Sequence, residues 1–91
     1  MSEPYTVSLS TPATRALGEK LPLDVVIGVT EFLRGAIAVN PYRVGKELDP
    51  PLDGVYSARV MQEWRVLYTI DNESRRVLVK SIAHRRDAYR T

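Results

Sequence analysis

His84, Arg85, Arg86, Tyr89 and Arg90 fall within seven residues near the end of a 91-residue chain. No apolar period requires those types there. Guanidiniums, the chain's single imidazole and a phenol ring are what an RNA-cleaving or anion-binding site needs. Guanidiniums engage phosphate oxygens in pairs, an imidazole moves protons near neutrality, and an aromatic ring stacks on a base. A second set lies upstream. Tyr56, Ala58 and Val60 alternate with Ser57 and Arg59, and Trp64, Val66, Tyr68 and Ile70 alternate with Arg65, Leu67 and Thr69. Both stretches read as strands with one apolar face. For those faces to match, the connection needs an odd number of residues, most simply Met61-Gln62-Glu63. Val60 then faces Trp64, and Arg59 sits across from Arg65. Like charges placed opposite each other are destabilising. The pair, with Ser57 beside it, is therefore expected to hold an anion. The alternative is that both guanidiniums splay into water or pair with Glu63 or Glu47.

The elements that must position these groups are legible in outline. Tyr5 to Leu9 alternates as a first strand. Ser10 or Thr11 can cap a helix whose first turn takes Pro12. Ala13, Ala16, Leu17 and Leu21 share one face of it. Pro22 opens a second helix, in which Leu23, Val26, Ile27, Thr30, Leu33 and Ile37 form a wide stripe for burial. Asn40-Pro41 ends it. Residues 40–54, with three prolines and two glycines, read as a structured loop rather than an element. Asp71-Asn72-Glu73-Ser74 has turn composition, and Arg76 to Ile82 reads as the return strand. Trp64, Tyr56 and Tyr68 fall on the apolar strand face and belong to the core. Tyr89 follows the sheet in a charged segment, where stacking on a base suits it better.

Composition bounds the rest. Ninety-one residues make one domain. Cysteine is absent, which excludes a disulfide framework and fits a reducing cytoplasm. One histidine and no cysteine argue against a usual zinc site. No run of about 18 apolar residues and no signal-peptide core occur, so no membrane role is expected. Residues 1–58 hold five Lys/Arg and seven Asp/Glu, whereas residues 59–91 hold eight and four. A chain polarised in this way can offer a cationic face to nucleic acid while staying nearly neutral overall.

The order and spacing of Arg43-Val44-Gly45-Lys46, Gly54-Val55-Tyr56-Ser57-Ala58-Arg59, Trp64-Arg65-Val66-Leu67-Tyr68 and His84-Arg85-Arg86-Asp87-Ala88-Tyr89-Arg90 resemble the RelE/ParE superfamily of bacterial toxin–antitoxin toxins, in its RelE and YoeB branches. The resemblance spans essentially the whole chain. It implies a compact α+β fold, with two N-terminal helices packed on one face of a twisted, mainly antiparallel four-stranded sheet. It also implies a nuclease that enters the ribosomal A site and cuts mRNA there without a metal or other cofactor. A 2′-hydroxyl attacks the adjacent phosphate, leaving a 2′,3′-cyclic phosphate or 3′-phosphate and a 5′-hydroxyl. The implied partners are a cognate antitoxin, the ribosome and mRNA, with operator DNA reached only through the antitoxin complex.

Site residues carry over by position. Arg65 matches the arginine of the aromatic-Arg-x-x-Tyr strand and is expected to hold the scissile phosphate. Arg85 matches the arginine after the last strand, which assists the phosphate or leaving group. Tyr89 matches the C-terminal tyrosine that stacks on a base or orients the 2′-hydroxyl. Ser57 and Arg59 stand where RelE-type strands often carry two lysines. Arg59 stabilises charge but is a poor base, because guanidinium pKa values exceed about 12. Glu47 and His84 lie near the glutamate base and histidine acid of YoeB-like members. Lys46, Ser57, Arg86 and Arg90 complete the expected phosphate and RNA contacts. The alternatives are a ParE-like inhibitor of DNA gyrase on the same fold, and an inactive paralogue that still binds its antitoxin.

Overall fold

A computed structural model describes residues 3–88. Tyr89 and Arg90 lie outside the described residues. The order of elements is β1 (Thr6–Leu9), α1 (Thr11–Arg15), α2 (Leu23–Phe32), α3 (Pro41–Val44), β2 (Lys46–Glu47), β3 (Val55–Val60), β4 (Trp64–Asp71) and β5 (Arg76–His84). Helices α1 and α2 each run on into a wider π-type turn, Ala16–Lys20 and Leu33–Ile37. The strands form one sheet in the order β1-β5-β4-β3-β2. Only β1 is parallel to its neighbour, β5; the other pairs are antiparallel.

The sheet has five strands rather than the expected four. Residues 40–54 are not wholly a loop, because α3 and β2 form within them. Asn40 caps α3 by accepting from Arg43 N, and Pro41 occupies its first turn. Two-residue β2 then pairs Lys46 with Ser57 and Glu47 with Tyr56. So short a strand carries no periodicity and owes its existence to the edge of β3.

Helix α1 starts where expected. Ser10 Oγ accepts from Ala13 N at 3.2 Å and donates to Lys80 O at 2.7 Å. The second bond has a structural reason. Leu67 pairs with Ser81 but Tyr68 pairs with Val79, so Lys80 is the extra residue of a β-bulge in β5. Ser10 takes up its carbonyl. The bulge also shifts the parity of β5. Val77 and Val79 point into the core on one side of it, and Ile82 does so on the other.

The core lies between the helices and one sheet face. Ala58, Val60, Val66 and Tyr68 are buried there, with Tyr56, Trp64 and Ile70 packed against them. This is the expected strand face. Helix α2 departs from expectation by one position. It buries Val25 and Val29 in place of Leu23 and Ile27, which are 75% and 53% exposed, while Leu33 and Ile37 of the turn that follows are buried as expected. Its first half is apolar nearly all round, so two overlapping stripes are available. The i, i+4 row that fits the sheet is the one buried.

Tyr68 is the largest fully buried side chain. Its hydroxyl donates to Pro41 O at 2.6 Å, so the polar end is satisfied. Burial, reinforced by Tyr56, pushes its pKa up to about 12. Gly45 lies against that hydroxyl, and a Cβ there would collide with it. At the β4–β5 turn, Asp71 Oδ1 accepts from Glu73 N and Ser74 N, chiefly the latter, which holds its carboxyl below the usual range.

Candidate anion-binding site

The face of the sheet away from the helices gathers the cations. The β3–β4 register places Val60 opposite Trp64 and Arg59 opposite Arg65, joined by Met61-Gln62-Glu63, as side-chain alternation requires. On its other side Arg65 pairs with Ala83. Strand β2 brings in Lys46 through its pairing with Ser57. Lys46, Leu48, Ser57, Arg59 and Arg65 line one cleft of about 220 Å³. Its lining contains three cations and a hydroxyl but no carboxylate.

Arg65 is the centre of this cleft by register and by burial. Its Nη1 is buried and meets no acceptor from the protein among the described residues. A buried polar group left without a partner costs about 1–3 kcal/mol, and more when charged. Such a group calls for an acceptor from elsewhere, and a phosphate oxygen suits a guanidinium fork best. Arg59 is exposed and adds charge from directly across the ladder.

Among the described residues, Glu47, His84, Arg85 and Arg86 do not line this cleft. Glu47 pairs with Tyr56, which puts it on the opposite parity from Lys46. Its Oε2 accepts from Gly54 N at 2.8 Å, and its Oε1 lies 3.5 Å from the Tyr56 hydroxyl. It therefore closes the loop before β3, and its placement does not suit a base acting on a phosphate held by Arg65. Its carboxylate contributes to raising the pKa of Tyr56, after burial.

His84 is also placed differently from expectation. Strand β5 runs to His84 rather than stopping at Ile82, so the imidazole belongs to the sheet and not to a tail. The bulge at Lys80 sets its side. His84 pairs with Trp64, on the helix-facing parity, whereas Arg65 and Ala83 share the outer one. Its ring sits edge-on to Trp64, with centroids 5.4 Å apart. Nδ1 accepts from Arg86 N at 3.3 Å, and Nε2 lies 3.4 Å from Glu63 Oε2. The neutral ring thus carries its proton on Nε2, directed at Glu63. Both nitrogens are engaged within the chain, which does not suit direct donation to a leaving group at Arg65.

Arg85 is exposed and meets Glu63 Oε2 through Nε at 3.1 Å. Arg86 is exposed too, and its backbone N–H serves the His84 ring. Glu63, which sequence reasoning treats only as a counterion for Arg59 or Arg65, is the shared partner of His84 and Arg85. The available signal was its position: it is the last residue of the three-residue connection, next to the strand that pairs with β5.

A helical layer over a five-stranded mixed sheet, with a cationic cleft on the opposite face, defines the class of small toxins found in bacterial toxin–antitoxin pairs. No protein-family model matches the chain. Toxin RelG of Mycobacterium tuberculosis is 44% identical over 87 residues, covering 96% of this chain and 98% of RelG. Toxin RelE of the same organism is 39% identical over 87 residues, covering 96% and 88%. The M. tuberculosis toxin–antitoxin complex RelBE2 contains a chain of 43% identity that superposes with a TM-score of 0.84 over 90% of this chain and 99% of that one. The isolated Escherichia coli RelE toxin, at 18% identity and a TM-score of 0.70 over 88% of this chain and 83% of its own, shares the fold. The chain belongs to the RelE family of toxins.

Proposed function

We propose that the protein is the toxin of a type II toxin–antitoxin pair and acts as a metal-independent mRNA endoribonuclease in the ribosomal A site. The observation that carries this is the half-buried Arg65, whose Nη1 meets no acceptor among the described residues, in a cleft whose described lining holds three cations and no carboxylate. In-line attack by a 2′-hydroxyl accumulates negative charge on the phosphorus oxygens. Arg65 engages those oxygens, Arg59 and Lys46 neutralise the rest of the phosphate, and Ser57 lies beside them. Preorganised donors of this kind are often the largest single contribution to catalysis. Arg85, Arg86, Tyr89 and Arg90 extend the contact to leaving group, backbone and base. The cleft offers charge and orientation rather than an acid–base pair, since among the described residues its lining holds neither an imidazole nor a carboxylate. Its partner is a cognate antitoxin, as the RelBE2 complex of the 43%-identical relative supports. Operator DNA is reached through that complex.

Brief induction of the protein, followed by mapping of mRNA 5′ ends, tests the reading. Cuts in phase with codons within translated regions are the expected result. Intact mRNA together with DNA breaks and an SOS response would refute it in favour of gyrase poisoning.

A further inference from the structure

The β3–β4 turn is more constrained than a connection needs to be. Met61 and Gln62 both adopt left-handed backbone conformations, at φ 52° and 64°, although neither is glycine. Strain of this kind persists where surrounding contacts over-determine it, and it clusters at ligand clamps and active sites. Three contacts do so here. The Met61 thioether seats on α2 at Gly28, where a Cβ would lie 2.5 Å from Sδ, so only glycine admits it unmoved. Glu63 N donates to Met61 O at 2.6 Å. Glu63 O accepts from Arg85 N at 2.7 Å, which ties the turn to the end of β5.

The product of this arrangement is the direction of one carboxylate. Glu63 Oε2 meets both Arg85 Nε at 3.1 Å and His84 Nε2 at 3.4 Å. His84 is held in turn by Trp64 and by the Arg86 amide, and its carbonyl accepts from Asp87 N at 2.8 Å. Glu63 and Arg85 each stand two residues beyond a member of the Arg65–Ala83 pair. The carboxylate meets Arg85 at Nε, and the Nη1/Nη2 edge is the part of the guanidinium suited to a phosphate.

We propose that Glu63 is a positioning residue that holds His84 and Arg85 as one unit and presents Arg85 to the RNA phosphate bound at Arg65. The proposal rests on the nuclease reading above. It gives His84 the task of bracing Glu63 and the turn after β5, in place of donating a proton. A 1 Å misplacement of a group that orients a reactant can cost about 10²-fold in rate.

The test is a double-mutant cycle on single-turnover mRNA cleavage by purified protein on programmed ribosomes, with thermal melting of every variant. Wild type is measured first, and an absence of cleavage would overturn the nuclease reading and the positioning role with it. Given cleavage, Glu63→Gln should slow it by about 10- to 100-fold, with little change in KM and a melting temperature within a few degrees of wild type. Glu63→Asp, which keeps the charge on a shorter stem, should recover part of that rate. In an Arg85→Ala background Glu63→Gln should have almost no further effect, because the group it positions is gone. Full activity of Glu63→Gln, or an equal loss with and without Arg85, would overturn the proposal while leaving the nuclease reading intact. A collapse in melting temperature of both the Gln and Asp variants would overturn it too, by making the contact structural.

Discussion

Replacing Arg65 by methionine should make the protein more stable and nearly inactive. Methionine keeps an unbranched apolar stem but removes the guanidinium. Nη1 is buried without an acceptor among the described residues, and an unsatisfied buried polar group costs about 1–3 kcal/mol. Arg59 lies directly across the ladder, and opposed like charges cost roughly 0.2–1 kcal/mol more. Some packing around the fork is lost, so a net gain of about 1–2 kcal/mol is expected. For a domain of this size each kcal/mol moves the melting temperature by about 4–8 °C. Cleavage should fall by about 10²–10³-fold, the usual loss when one preorganised donor is removed. Differential scanning calorimetry and single-turnover cleavage on programmed ribosomes, run on the same preparations, read both effects. Opposite signs for stability and activity are the signature of a group held for a ligand. A melting temperature several degrees lower, with cleavage intact, would refute the reasoning and return Arg65 to the scaffold.

Three further outcomes follow from the structure. Tyr68→Phe leaves Pro41 O without its buried donor, so unfolding in urea should show a loss of about 1–3 kcal/mol. Tyr68 is held to about 12 in the folded state against about 10 when unfolded. Its contribution is therefore fully present below pH 10 and lost as pH rises toward 12, at most roughly 3 kcal/mol by linkage; alkaline melts of wild type and Tyr68→Phe should converge across that window, and parallel curves would contradict it. Capture by the antitoxin should slow as salt rises, because steering between opposite charges is screened beyond about 10 Å at 0.1 M; stopped-flow association rates that ignore ionic strength would argue against contact with the cationic face.

What could be read in advance was what depends on local periodicity. The Arg59–Arg65 pairing followed from alternation and one odd-length connection, and the same parity assigned Tyr56, Ala58, Val60, Trp64, Val66 and Tyr68 to the core. Three features escaped because one residue, or a neighbour distant in sequence, decides them. The bulge at Lys80 moves His84 to the helix-facing side, and no residue type in β5 announces it. Helix α2 offers two overlapping apolar stripes, and only the sheet beneath selects Val25 and Val29 over Leu23 and Ile27. Strand β2 is two residues long and is induced by β3, yet it brings Lys46 into the cleft and turns Glu47 away. The role of Glu63 is of the same kind, since its partners lie about twenty residues on, at the end of another strand.

The most direct test of the phosphate-cleft account is the chemistry of the cut ends. Purified wild type and Arg65→Ala are incubated with ribosomes programmed with a defined mRNA, and the products are examined for end groups. A 5′-hydroxyl is expected downstream and a 2′,3′-cyclic phosphate or 3′-phosphate upstream of an A-site cut, with that product lost in Arg65→Ala. A 5′-phosphate end, or cleavage by Arg65→Ala at the wild-type rate, would contradict it.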